Sequence, residues 1–487
     1  MVKQYIKRII TLNIIFALIM TIYRAIFTFY YSSWSVLSQY LGDLIQVFIL
    51  GLRYDCAILA YINLPNWIDN FGYQQDIRNA FADFYDIDIS FIDKTEPEQI
   101  LLKTTKYNKT IEDLKPNIIL IIAESLGMDF MQYNNEEFNI IGELKKHLEE
   151  DIVFYNCLYS YFETQVSVNS IFFNYIELPK VYNYKFDYNP IFTFLCSDYF
   201  IKNIYKNNKF VTYNLSDGLI DLSDNLFDNV ESCKENDELI YNNIFKVLEE
   251  NNKQKFIFVV TKTNHHPYNL PENYKLIDYK IPKDINNCNI KGINTFMYSC
   301  QKLGEFLTKL KKSKYADNTI VAVVGDHNSR LIFYDMPCIT FKSVPFYLYI
   351  PEKIKPNKEL IDTSKVISHI DIMPTLIELS LSNVKYYSLG RNVFDKNYQN
   401  AISVNYDYAI VVNGDDMCVY FVDFDEIKSY KLIREKNKLA KCNETEQIEQ
   451  TLKHKKMIKQ YKAMVAIFQY LLEKTIINKK KEECNNG

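Results

Sequence analysis

Four apolar runs of strand length punctuate the middle of the chain: NIILIIA (117–123), FIFVVT (256–261), TIVAVV (319–324) and PFYLYI (345–350). None alternates apolar with polar positions, the texture of a strand covered on both faces rather than one half-exposed to water. Amphipathic helical segments separate them, so the region is expected to be an α/β domain with a mostly parallel central sheet flanked by helices. SHIDIMPTLIELS (368–380) reads as a helix opening on a serine cap, with Pro374 near its first turns. After about residue 390 the pattern changes. AISVNYDYAIVVNGDDMCVYFVDF predicts a small antiparallel sheet with NGDD at a hairpin turn. The tail IKQYKAMVAIFQYLLEK places Ile458, Tyr461, Val465, Phe468 and Leu472 at helical spacing, which predicts a terminal helix docked through that face.

The N-terminal pattern is different. Residues 9–31 are apolar enough and long enough to cross ~30 Å of hydrocarbon at about 1.5 Å per residue. A second stretch, 44–65, carries Arg53 and Asp55 at mid-length, a pair expected to face protein or the interface. Lys3, Lys7 and Arg8 place the N-terminus in the cytoplasm. The expected organisation is membrane-spanning segments over 1–66, a polar connector over 67–114, a catalytic domain over 115–395, and C-terminal strands and a helix over 396–487 that complete it.

Charge and cysteine content narrow the picture. A net charge of −4 and a pI near 6.0 offer no basic surplus for nucleic acid. Ten cysteines form no C-x-x-C pair, which leaves a zinc ribbon or a thioredoxin-type site without support; Cys233, Cys288 and Cys300 are candidates for disulfides in an oxidising compartment.

The chemistry gathers where the strands end. In open α/β sheets ligands bind beyond the carboxyl ends of the strands. NIILIIAES ends at Glu124, FIFVVTKTNHHPY at Asn264, His265 and His266, and TIVAVVGDHN at Asp326 and His327. Glu, Asp and neutral His converging on one edge form a donor set for a divalent ion such as Zn²⁺ or Mn²⁺. A metal beside an Asp–His pair points to an activated oxygen nucleophile, with Ser125, Thr164, Ser167 and Ser170 as candidates that spacing alone does not separate. No P-loop, H-E-x-x-H or G-x-S-x-G sequence is present, which argues against NTPase, zincin and α/β-hydrolase chemistry.

KPNIILIIAESLG, YFETQVSVNSIFFNYIELP, TKTNHHPYNLP, VVGDHNSR, VPFYLYIP, SHIDIMPTLIELS and SLGRNVF occur in one order over roughly 115–395. In that order they resemble the lipoteichoic-acid-synthase-like branch of the sulfatase/alkaline phosphatase superfamily, and FILGLRYD resembles its membrane portion. The resemblance implies an alkaline-phosphatase-like fold and one divalent metal ion, manganese first, with zinc or magnesium as alternatives. It matches the metal-bound nucleophile to Thr164, the other ligands to Glu124, Asp326 and His327, and the phosphate-contacting histidine to His265; Arg330 is a candidate phosphate partner by position.

The same resemblance implies phosphoglycerol-type transfer from a phospholipid donor to a cell-envelope glycan or glycolipid acceptor. Phosphoethanolamine transfer, sulfuric or phosphoric ester hydrolysis and non-enzymatic binding are the alternatives, in that order. The C/S-x-P-x-R motif of formylglycine sulfatases is absent around Thr164. A bacterial cytoplasmic membrane protein is also implied, with its catalytic domain extracytoplasmic. The branch has about five spans, where two stretches here are apolar enough to be candidates.

Overall fold

The computed structural model describes residues 77–486 apart from 174–200, 217–226, 231–235, 276–278, 286–287, 333–338, 397–399, 406 and 434–444, together with positions 21, 26 and 30. The stretches 9–31 and 44–65 expected to span the membrane thus lie, save those three isolated positions, outside the described residues. No helix among the described residues is long and apolar enough to cross a membrane. The chain divides into two units at Asp76/Ile77, and the second contains every element named below Ile77 in the chain.

Its centre is an eight-stranded sheet. The strands, in spatial order, are β5 (Asn229–Val230), β4 (Val211–Asn214), β6 (Lys255–Val260), β2 (Asn117–Ala123), β7 (Thr319–Gly325), β8 (Ser343–Tyr349), β3 (Ile152–Leu158) and β9 (Ile367–Ser368). The four apolar runs of the sequence are β2, β6, β7 and β8. Their lack of alternation has a direct cause, because each face of the sheet is roofed by helices. Ile118, Leu120 and Ile122 of β2 point into one apolar cluster, and Ile119, Ile121 and Ala123 into another. The first cluster takes Val168, Ile171 and Phe172 from the helix Thr164–Phe173 and Leu376 from the helix Ile372–Ser380. The second takes Ile240, Ile244 and Val247 from the helix Asp237–Glu250, and Ile293, Phe296 and Leu307 from the helix Ile290–Lys311.

Five of the seven pairings in this sheet are parallel, and β8 runs antiparallel to both β7 and β3. The sheet is thus mostly parallel, as expected, and β8 makes it mixed. A parallel return requires a crossover, usually helical. The described part of the connection from β7 to β8 carries only the 3₁₀ turn Thr340–Lys342, so β8 folds straight back. β3, β4, β5 and β9 were not anticipated; they are short or interrupted by Asn and Thr, and they extend both flanks.

A second sheet of five antiparallel strands runs β11 (Ala401–Val404), β12 (Tyr408–Asn413), β13 (Asp416–Phe421), β14 (Glu426–Leu432) and β15 (Thr445–Ile448). Asn413 pairs with Asp416 across a two-residue turn, where Gly414 takes φ +63° without steric cost. The terminal helix, Leu452–Asn486, buries Ile458, Tyr461, Val465 and Phe468. Residues 77–114, expected as part of a connector, pack onto it. The helix Ile77–Tyr85 buries Ala80 and Phe81, Phe81 meets Tyr470 edge-on, and Gln460 donates to the Phe84 carbonyl at 3.3 Å. β1 (Leu102–Thr104) pairs with β10 (Lys385–Tyr387), closing a small second ribbon.

Candidate metal centre

β2 and β7 are adjacent and parallel, with Ala123 opposite Gly325, so the residues that follow each strand emerge side by side. Close approach is made possible by two glycines. A Cβ on Gly325 would stand 2.2 Å from the Leu126 carbonyl oxygen, and one on Gly127 would stand 2.5 Å from the Ser329 nitrogen. Between those loops the chain places Glu124, Asp326 and His327, all buried, with one ligand atom from each within 4.8 Å of the others.

Each member is held by its neighbours. Asp326 Oδ1 accepts from the Ser125 N–H at 2.7 Å and the His327 N–H at 2.8 Å. Ser125, in a left-handed turn (φ +55°), also donates its hydroxyl to Glu124 Oε1 at 2.9 Å. The His327 Nδ1–H donates to the Asn328 carbonyl at 2.9 Å, which leaves the Nε2 lone pair facing Asp326 Oδ2 at 3.2 Å and Glu124 Oε1 at 3.7 Å. Asp326 Oδ2 is buried and has no hydrogen-bond partner.

The electrostatics follow from this crowding. Burial, and then the adjacent Asp326 carboxylate, push the Glu124 carboxyl well above the ordinary range. Burial depresses His327 despite the opposing pull of Asp326, and the charges of Arg330 and His265 depress it further. An orphaned carboxylate oxygen, a second carboxylate and an imidazole in its ligand tautomer make a donor set that fits a divalent cation, since a positive charge at their centre would offset the desolvation of all three.

The structure brings Thr164 to the same point. It begins the helix Thr164–Phe173, and its hydroxyl donates to Glu124 Oε2 at 3.0 Å and lies 3.3 Å from His327 Nε2. Of the other hydroxyl candidates, Ser125 serves Glu124, Ser167 donates to the Tyr161 carbonyl, and Ser170 is buried without a partner. Arg330 reaches in from the loop after β7, with φ +57°, and donates from Nη2 to the Phe162 carbonyl at 2.6 Å and to His327 Nε2 at 3.0 Å. His265 is half-buried; its Nδ1–H donates to the His266 carbonyl at 2.7 Å, which leaves Nε2 for other partners.

Asp237, Asp129 and His369 went unread in the sequence, whereas Asn264 was among the residues read at the strand ends. Asp237 accepts from the Lys262 and Thr263 N–H groups at 3.1 and 3.0 Å, fixing the loop that carries His265. Asn264 ties that loop to the Glu124 carbonyl at 3.3 Å. Asp129 accepts from the Ser329 N–H at 2.9 Å and also from its hydroxyl, which braces the turn after His327; burial raises its carboxyl to about 6. His369 donates to the Gly325 carbonyl at 3.0 Å and accepts from the Ser160 N–H at 3.3 Å, and burial drops it to about 4. No local signal marks these residues, since their partners lie 25 to 209 positions away. Cys288 and Cys300, considered for disulfides, are free thiols, and Cys288 donates to the Leu331 carbonyl.

Comparisons with known proteins bear on the fold and the family. Lipoteichoic acid synthase 1 of Bacillus subtilis is 26% identical over 218 residues, 42% of this chain and 32% of that protein. The lipoteichoic acid synthase of Staphylococcus saprophyticus is 24% identical over 192 residues, 36% of this chain and 28% of that protein. The matched stretch thus spans about a third of the length of these curated relatives. An alkaline phosphatase superfamily protein from Vibrio parahaemolyticus superposes with a TM-score of 0.62 at 20% identity, over 82% of this chain and 96% of that one. The lipoteichoic acid synthase LtaP of Listeria monocytogenes gives 0.58 at 17% identity, over 77% and 98%. These likenesses establish an alkaline-phosphatase-like fold. The sulfatase family model matches residues 116–380, more than half of the chain and the whole span from β2 to the helix ending at Ser380. By that match the chain belongs to the sulfatase family, in the branch that resembles the lipoteichoic acid synthases.

Proposed function

We propose that this chain is a phosphotransferase that moves a phosphoglycerol-type group from a phospholipid to a cell-envelope acceptor through a covalent intermediate on Thr164. The observation that carries the reading is the Thr164 hydroxyl hydrogen-bonded to a buried carboxylate, at the edge of a three-residue donor set with an unpaired oxygen. Glu124, Asp326, His327 and Thr164 would hold one divalent ion, Mn²⁺ in the first instance and Zn²⁺ or Mg²⁺ otherwise. Once bound, that ion supplies the positive charge that makes an alkanol ionisable near neutral pH and offsets charge on a phosphoryl group.

The remaining steps belong to the chain itself. Thr164 Oγ1 gives its proton to Glu124 Oε2, to which its hydroxyl is hydrogen-bonded at 3.0 Å. The oxygen attacks phosphorus, an O–P bond forms at Thr164, and the P–O bond to diacylglycerol breaks. His265 Nε2, when protonated, delivers a proton to the departing oxygen. The N-terminal N–H groups of the helix that Thr164 opens, together with the Arg330 guanidinium, stabilise the phosphoryl oxygens. An acceptor hydroxyl then gives its proton to His265 Nε2 and attacks phosphorus, the Thr164 O–P bond breaks, and Glu124 returns its proton to the Thr164 oxygen. A lipid donor puts the catalytic domain at a membrane, and the likeness to the lipoteichoic acid synthases supports the bacterial cytoplasmic membrane and its extracytoplasmic face.

The test is mass spectrometry of metal-loaded protein incubated with phosphatidylglycerol or, separately, phosphatidylethanolamine. The expected result is a phosphoglycerol adduct on Thr164 with the first lipid. An adduct with the second lipid alone would make the chain a phosphoethanolamine transferase, and an adduct on another residue would remove Thr164 from its role.

A further inference from the structure

The strands that end at the metal centre begin at a second site. At the N-terminal ends of β2, β6 and β7 lies an open cavity of about 500 Å³, lined by Lys115, Lys209, Lys253 and Lys255 and by amide side chains including Asn117 and Gln254. No carboxylate lines it. In a chain where acids outnumber bases, 60 to 56, four lysines around one concavity without an acid are a departure from the surface at large. Of the nearby carboxylates, Asp113 pairs with Lys109 at 3.0 Å and Asp228 with Lys206 at 2.7 Å, while Glu250 accepts from the Tyr213 hydroxyl at 2.6 Å and its charge also acts on Lys255. Lys255 is buried and commits its ammonium to the Asn251 and Lys253 carbonyls, shaping the 251–255 turn. Lys115, Lys209 and Lys253 are exposed or half-buried and have no ion-pair partner among the described residues.

Three of these lysines follow helix C-termini: Lys115 caps Lys109–Leu114, Lys209 follows Ile201–Asn207 and Lys253 follows Asp237–Glu250. Each therefore stands near the negative end of a helix dipole, a weak interaction at an exposed position. That accounts for a lysine at each end singly. It does not account for three ends converging on one amide-lined hollow without a carboxylate, a lining whose charge favours an anion.

We propose that this cavity binds an anionic polyol-phosphate chain, the acceptor or product polymer, at a site remote from the metal centre. The identity of the ligand rests on the function proposed above; the preference for a multivalent anion rests on the lysines and amides alone. Seven residues of β2 separate Asn117 in the cavity from Glu124 at the metal centre, roughly 20 Å at about 3.3 Å per residue. A polymer several units long held at one edge would raise the local concentration of its own growing end near the other.

Calorimetric titration of the full chain with a short synthetic glycerol-phosphate oligomer tests this, using inorganic phosphate and phosphatidylglycerol vesicles as separate probes. The wild type is expected to bind the oligomer more tightly than inorganic phosphate, in a salt-sensitive manner. The combined Lys115→Ser, Lys209→Ser and Lys253→Ser variant is expected to lose at least tenfold in affinity for this binding event, with an unchanged melting temperature. Superimposable isotherms for the two proteins, oligomer no tighter than phosphate, or binding to vesicles alone would each overturn the proposal. Adduct formation on Thr164 does not involve the cavity, so it is expected to survive in the triple variant. An adduct without oligomer binding would sink only this inference, and oligomer binding without an adduct only the transferase reading.

Discussion

The two ends of β2, β6 and β7 carry opposite chemistry on one rigid frame. At the carboxyl ends two carboxylates and an imidazole are buried within a few ångströms of one another; at the amino ends lysines stand in water around an open hollow. The contrast teaches where energy is stored. Buried like charges persist only because backbone N–H groups and hydroxyls are aimed at them, and the closeness that strains them equips them to hold a cation. The exposed lysines cost the fold almost nothing and are free to answer to a ligand. Substitutions of the buried charged groups and their braces should therefore act on chemistry and stability together at the first end, and those of the exposed lysines on neither at the second.

The largest effect expected is on Thr164→Ala. Its adduct should vanish and its transfer rate should fall by about 10⁴-fold or more, measured by phospholipid turnover, with the melting temperature little changed. Next is the donor set. A divalent ion at a thousandfold excess over its Kd should stabilise the wild type by about 4 kcal/mol in thermal unfolding, and Asp326→Asn should lose most of that response. An equal response in both proteins would place the ion elsewhere.

His369 sharpens the comparison through pH. Its folded-state value of about 4 lies below the ordinary 6.5, so the unfolded chain binds the extra proton more readily. The stabilisation is full above pH 6.5 and is lost as pH falls toward 4, by about 3 kcal/mol at most. Other carboxyls titrate in that window with the opposite sign, Asp129 at about 6 among them. The difference between the pH–stability profiles of the wild type and His369→Gln isolates the imidazole; parallel profiles would exclude it. The smallest effect is at the other end, where Lys253→Ser should shift stability by no more than about 0.5 kcal/mol and leave adduct formation intact.

Much of this was legible in one dimension. A strand buried on both faces must be apolar throughout, so β2, β6, β7 and β8 announced themselves, as did the polar residues at their tips. The terminal helix and the turn at Gly414 followed from period and from glycine's freedom. The flanking strands β3 and β4 did not, because Asn and Thr break the run and neighbouring strands supply the pairing. Nor did the role of 77–114, since a short amphipathic helix has no meaning until the terminal helix offers it a face.

Hydrophobic period and residue type, which act over a few positions, were enough to set the α/β class and the strand ends that carry Glu124, Asp326 and His327, while the family came from the resemblance of seven motifs in one order. Tertiary structure alone decided that β8 returns antiparallel, that the Thr164 hydroxyl sits between Glu124 and His327, and that Asp129, Asp237 and His369 brace the loops. The physical reason is range. A hydrogen bond between residues forty or two hundred positions apart leaves no trace in local pattern, and it exists only once the sheet has brought their loops to one edge.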